Sequence, residues 1–189
     1  YRRRLIKDIR TGFMLSWLRK LNPAVPFVHI IRNPYAVIAS YKKLNWITEA
    51  GGRRSEVQIV MAQEKLVKDF PVIGAAYCQM DHSDYVSQLA FLWCAQNWVP
   101  LAQAKAVGLY LCSYDDLVLN TERELERLFA HLNLPYDTGR ARHFSRPSRT
   151  NYNKQKVFRA NEGVKQLGFD TRERKNIQGV LEMFGMENL

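Results

Sequence analysis

Cysteine is scarce in this chain: Cys78, Cys94 and Cys112 are odd in number and lack metal-ligand spacing. Neither a cystine framework nor a zinc site is indicated, and buried free thiols are the expected state. No stretch approaches the roughly 20 apolar residues of a membrane span, and no secretory signal opens the chain. The first residue is Tyr1 rather than Met, so the chain reads as a piece of a longer one. Internal repeats and low-complexity linkers are also missing. So is a Gly-x-x-x-x-Gly-Lys-[Ser/Thr] loop, since Gly51-Gly52 follows a predicted helix and lacks the pattern. A nucleotide-phosphate cradle of that kind, and the small-molecule kinases that use it, are therefore disfavoured within these residues.

What is present fits one globular domain spanning residues 1–189, with 47% hydrophobic and 12% aromatic residues. A formal charge of +10 and a pI near 9.7 point to anionic partners. Charge alone does not choose among nucleic acid, an acidic polysaccharide and a phosphorylated cofactor.

The most informative stretch runs from Phe27 to Ser40. Phe27-Val28-His29-Ile30-Ile31 is nearly continuous apolar sequence with β-branched residues, the pattern of a strand covered on both faces of a parallel sheet. Asn33 suits a helix cap and Pro34 the first helical turn, where its missing N–H has no partner to lose. Strand then passes to helix with no loop between. Arg32 is placed at the carboxyl end of a strand, where open α/β sheets bind ligands, and Ser40 about two turns into the helix. Asn33, Ala36, Val37 and Ser40 share one helical face. A guanidinium fork and a hydroxyl converging there suit a phosphate; an Arg in this position serves equally as a surface ion-pair partner.

Upstream, Arg2 to Arg4 read as a solvated basic arm, and Leu5-Ile6 as the end of a short buried strand delivering Lys7 to the same sheet edge as Arg32. Phe13, Leu15, Trp17, Leu18 and Leu21 predict a short amphipathic helix stopped before Asn22-Pro23. Strand, helix, strand, helix implies parallel pairing through crossovers. From Tyr41 to Lys105 the period is mostly helical, broken by a loop around residues 50–55, and Phe91 to Leu101 is apolar enough for a core helix. Asp81-His82-Ser83-Asp84 invites an acid–base reading but sits in a polar joint before that helix, where a turn and N-cap are expected.

A second buried strand is predicted over Val107 to Tyr114, ending at Asp115-Asp116-Leu117. The following helix has Thr121 and Glu124 in capping-box spacing and stops before Leu134-Pro135. Residues 145–156 form a long polar tract without apolar period, read as a surface loop, and loops of that length inside a compact domain are often functional. Asp170-Thr171-Arg172-Glu173 caps a last helix with Ile177, Val180, Leu181 and Phe184 as its apolar stripe, ended by Gly185.

These motifs, in this order from Lys7 to Met186, resemble those of sulfotransferases that use 3'-phosphoadenylyl sulfate (PAPS), in particular the bacterial and tyrosylprotein types. In that family the 3'-phosphate motif is a strand ending in Arg, with a Pro two residues later and a Ser eight residues after the Arg. Arg32, Pro34 and Ser40 fit it, with Asn33 where many members have Asp. Tyr114-Asp115-Asp116-Leu117 is similar to the family's Tyr-Glu-Asp-Leu strand end, whose Tyr lies against the adenine. His131-Leu132-Asn133-Leu134-Pro135 resembles the Leu-Gly-Leu-like turn after the next helix. One departure is Lys165-Gln166-Leu167-Gly168-Phe169, where many relatives carry a tryptophan.

The resemblance implies an α/β fold, a three-layer parallel sheet flanked by helices of the P-loop nucleotide hydrolase-like kind, incomplete at its N-terminus. It implies Lys7 as the catalytic cation near the transferring sulfuryl group, and Arg32, Ser40, Tyr114, Ser148, Arg149 and Thr150 as nucleotide contacts. PAPS would be the donor, a hydroxyl or amine the acceptor, and no metal is implied. The family's 5'-phosphosulfate loop is not among these residues and is expected upstream, together with the catalytic base; Ile9 stands where some cytosolic relatives have histidine. A cytoplasmic location follows, with a nucleotide cosubstrate and an acceptor as partners, and no nucleic acid. The contrasting reading is a basic module that binds nucleic acid or another polyanion without catalysis.

Overall fold

In the computed structural model, which describes residues 4–44, 56–139 and 168–188, the chain enters through a 3₁₀ turn, Thr11–Met14. It continues through α1 (Leu15–Leu21), β1 (Phe27–Ile31), α2 (Pro34–Leu44), α3 (Glu56–Met61), α4 (Glu64–Asp69), α5 (Pro71–Gln79) and α6 (Tyr85–Val107). Then come β2 (Leu109–Ser113), α7 (Tyr114–Leu119), α8 (Thr121–His131) and α9 (Thr171–Met183).

Helix α6 is the centre. Its sequence is apolar on every side, so it can only be buried, and Leu89, Phe91, Leu92, Trp93, Cys94 and Val99 are almost fully enclosed. Helices α1, α2, α3, α5 and α9 and both strands pack against it. Aromatic rings take part in this core: the Phe91 ring meets Tyr77 and Phe184 edge-on. Gly108 ends α6 with φ 59°, a left-handed conformation in which a Cβ would be strained.

The polar joint before α6 is a turn and cap, as its composition implies. Asp81 accepts from Ser83, and Asp84 accepts from the Ser87 backbone N–H at 2.7 Å. On α9 the expected capping box forms in full: Glu173 N–H donates to Asp170 at 2.8 Å and Asp170 N–H to Glu173 at 3.1 Å. Ile177, Val180, Leu181 and Phe184 are buried, and Gly185 turns the chain at φ 64°. On α8 the box does not form, because Thr121 is already helical and its hydroxyl donates back to the Val118 carbonyl.

β1 and β2 are adjacent and parallel, with Phe27 opposite Leu109 and Ile31 opposite Ser113. The chain is thus α/β, but the expected three-layer sheet is not seen among the described residues, which hold a two-stranded sheet amid helices. Nor is β1 enclosed on both faces: Ile30 is 54% exposed. The reason is coverage. α6 lies against one side, while the other meets a smaller cluster of Cys112, Leu117 and Leu125 that reaches Val28 but not Ile30.

Two further expectations are corrected. Leu5 and Ile6 are 91% and 85% exposed and form no strand. A strand persists only where a neighbour satisfies its backbone groups, and the one ladder formed among the described residues joins β1 to β2. Helix α1 forms, yet Leu15 alone of its residues is buried, and Trp17 and Leu21 face outward. Of the thiols, Cys94 and Cys112 are buried as expected, whereas Cys78 is exposed.

Candidate functional site

The parallel register decides the geometry at the carboxyl end of the sheet. Because Ile31 pairs with Ser113, the next residue on each strand, Arg32 and Tyr114, leaves the sheet side by side. The Arg32 guanidinium carbon lies 4.6 Å from the centre of the Tyr114 ring, within the range of a cation–π contact. Two residues far apart in sequence, each singled out by its own motif, are brought into direct contact.

Local chemistry holds both in place. Beyond Arg32, the Asn33 side chain accepts the Ala36 N–H at 3.3 Å, and Pro34 is the buried first residue of α2. Beyond β2, the Ser113 hydroxyl accepts the Asp116 N–H at 3.1 Å, so Tyr114 opens α7 immediately. The predicted strand therefore ends one residue early, and Tyr114 is helical.

Among the described residues no ion pair includes Arg32. Its Nε is buried, and among the described residues it has no acceptor. A buried N–H without a partner costs on the order of 1–3 kcal/mol, a cost that an arriving anionic oxygen would remove. That charge-assisted donor fits a phosphate. Ser40 is exposed on α2, on the face that starts at Asn33. Lys7 is exposed in irregular chain rather than at a strand end. Ser148, Arg149 and Thr150 lie outside the described residues.

An open groove of about 630 Å³ begins at Ile31 and Ser113, the paired residues just before Arg32 and Tyr114. It continues past Asp116 to Arg123 and Arg127 of α8. Both arginines approach the Glu124 carboxylate, at 3.5 and 3.1 Å, so the cationic wall is partly neutralised from within.

Sequence reasoning missed a second pair near the site. His29 Nε2, on β1, is 3.0 Å from Asn97 Oδ1 on α6. Asn97 Nδ2 donates to the Trp93 carbonyl at 2.7 Å, which leaves Oδ1 as the acceptor and puts the proton on His29 Nε2. Burial holds the His29 pKa below its ordinary value, opposed by the Asn97 hydrogen bond. The available signal was a lone His29 inside the apolar run 27–31 and the polar pair Gln96-Asn97 inside the apolar stretch of α6, since such residues must be satisfied once buried. Burial also pushes the Cys94 thiol far up, which makes it unreactive.

Among the described residues there is no cluster of three or more His, Cys, Asp or Glu side chains placed to hold a metal ion. No helix among them is long and apolar enough to cross a membrane. A model of the Sulfotransferase family matches residues 1–138 of the chain. Searches of characterised proteins and of solved structures return no match.

Proposed function

The chain belongs to the sulfotransferase family, and on that premise we propose that it supplies the 3'-phosphate-binding part of a PAPS site in an enzyme that sulfates a hydroxyl or amine. The observation that carries this reading is the Arg32 guanidinium at the end of β1, against the Tyr114 ring and with a buried Nε that lacks an acceptor among the described residues. Arg32 anchors the nucleotide, and the Ser40 hydroxyl is the second donor from the same strand–helix unit. Ser148, Arg149 and Thr150 are further nucleotide contacts in this proposal.

When bound, PAPS supplies an activated sulfuryl group. The S–O bond to the phosphate oxygen breaks as a new bond from sulfur to the acceptor oxygen or nitrogen forms, and the acceptor gives up its proton. Negative charge grows on the departing oxygen, and a fixed cation there lowers the barrier. Lys7 is the residue proposed for that role. Its exposure leaves it free to approach a bound donor. Positioning supplies the rest of the rate.

Calorimetry of the intact protein with adenosine 3',5'-bisphosphate tests the site. Micromolar binding is expected, with most of the affinity lost in Arg32→Ala and no dependence on added divalent metal. Affinity unchanged in that variant overturns the assignment. Tight binding of duplex DNA with a steep salt dependence, and no response to the bisphosphate, would favour the polyanion-binding reading instead.

A further inference from the structure

We infer that Tyr114 is a positioning residue for Arg32, acting on the nucleotide's 3'-phosphate through the guanidinium rather than by packing against the base. This rests on the PAPS reading above and assigns a division of labour within that site.

The geometry carries it. The Arg32 guanidinium covers the Tyr114 ring at 4.6 Å. A ring with a cation against one face has only its other face and its edge left for a nucleotide. The same contact removes much of the rotamer freedom of a long arginine side chain, so less of it is left to be lost when a ligand binds. No ion pair among the described residues includes Arg32, and the Tyr114 ring is the contact its guanidinium makes there.

The backbone reinforces the arrangement. Ile31 and Ser113 are paired in register; β2 passes straight into α7 at Tyr114, and β1 into α2 at Pro34 after two residues. The Ser113 cap fixes the start of α7 and hence the Tyr114 Cα. Tyr114 is thereby rigid where Arg32 is long, and the rigid residue sets the direction of the flexible one. Nε–H points away from solvent and has no acceptor among the described residues. An anion arriving at the sheet end meets a donor already oriented, so less ordering cost is left for binding.

Two ligands separate this role from base packing. Adenosine 3',5'-bisphosphate carries the 3'-phosphate, and adenosine 5'-monophosphate carries the same base without it. In the intact protein Tyr114→Leu should weaken the bisphosphate about tenfold and leave the monophosphate unchanged, whereas Tyr114→Phe, which keeps the ring, should retain both affinities. In the Arg32→Ala background, Tyr114→Leu should cost nothing more. Without any ligand, the Arg32 side-chain proton resonances should be shifted upfield by the ring in wild type and Tyr114→Phe, and should return to ordinary positions in Tyr114→Leu.

Equal losses for the two nucleotides in Tyr114→Leu would mean base packing and overturn the inference, as would unshifted Arg32 resonances in the wild type. A wild-type protein that binds both nucleotides equally would instead overturn the phosphate-site reading, and the positioning role with it. Those failures are told apart by whether the wild type discriminates.

Discussion

His29 Nε2 donates to Asn97 Oδ1 across 3.0 Å, tying the strand that ends in Arg32 to the central helix. Burial lowers the His29 pKa from its ordinary 6.5. Below that value the unfolded chain takes up a proton that the folded ring resists. The neutral ring's contribution is therefore fully present above about pH 6.5 and is lost as the pH falls toward the folded pKa. Urea midpoints should drop over this range, and His29→Gln, which keeps a donor for Asn97 but cannot titrate, should show a shallower drop. Equal slopes in the two proteins would rule out His29 as a source of acid sensitivity.

Gln103 on α6 holds the entry segment of the chain. Its Oε1 accepts from the Ser16 backbone N–H at 2.9 Å and from the Ser16 hydroxyl at 2.7 Å, while Nε2 donates to the Gly12 and Val99 carbonyls. Gln103→Ala removes every one of these contacts from a buried position and should cost about 2–3 kcal/mol. Chemical denaturation measures this, and a loss below about 0.5 kcal/mol would mean that water replaces the amide without penalty.

Arg19 is a clamp at the far end of the same helix. Its Nε donates to the Val107 carbonyl at 3.0 Å, Nη1 to Pro23 and Val25 at 2.7 and 2.9 Å, and its guanidinium covers the Phe27 ring at 4.5 Å. Arg19→Met keeps the aliphatic stem and removes the donors. A destabilisation of about 1–2 kcal/mol is expected, since some of the freed carbonyls are reached by solvent. Amide hydrogen exchange should quicken first in the turn between α1 and β1.

Asp170→Ala should destabilise the protein by about 1 kcal/mol by opening the capping box of α9. Asp170→Asn should recover most of that, because the amide oxygen can still accept the Glu173 N–H. Thermal melts of the two variants provide the comparison; identical losses would place the effect in charge rather than in the cap.

Much of the local structure was legible because its causes are local. Asn33 and Pro34 start a helix by their own chemistry, and Asp84 and Asp170 cap helices from three residues away. Leu5 and Ile6 were not legible in the same way, since a strand needs a hydrogen-bonded neighbour that local sequence does not reveal. Trp17 and Leu21 fit an amphipathic period, but whether a partner covers that face is a tertiary matter. The pairing of His29 with Asn97 was not legible for a related reason: each is a polar interruption of an apolar run whose partner is fixed only when strand and helix are packed together.

The sequence by itself determined that a strand runs up to Arg32, that a helix begins at Pro34, and that a second strand runs up to Tyr114, because apolar runs, caps and turn residues act over a few neighbours. Only the tertiary structure decided that the strands pair in a register setting Ile31 against Ser113, so that Arg32 lies over the Tyr114 ring with a buried N–H and no acceptor among the described residues. That decision belongs to the packing of both strands against α6, and contacts between distant segments leave no mark on the spacing of either motif.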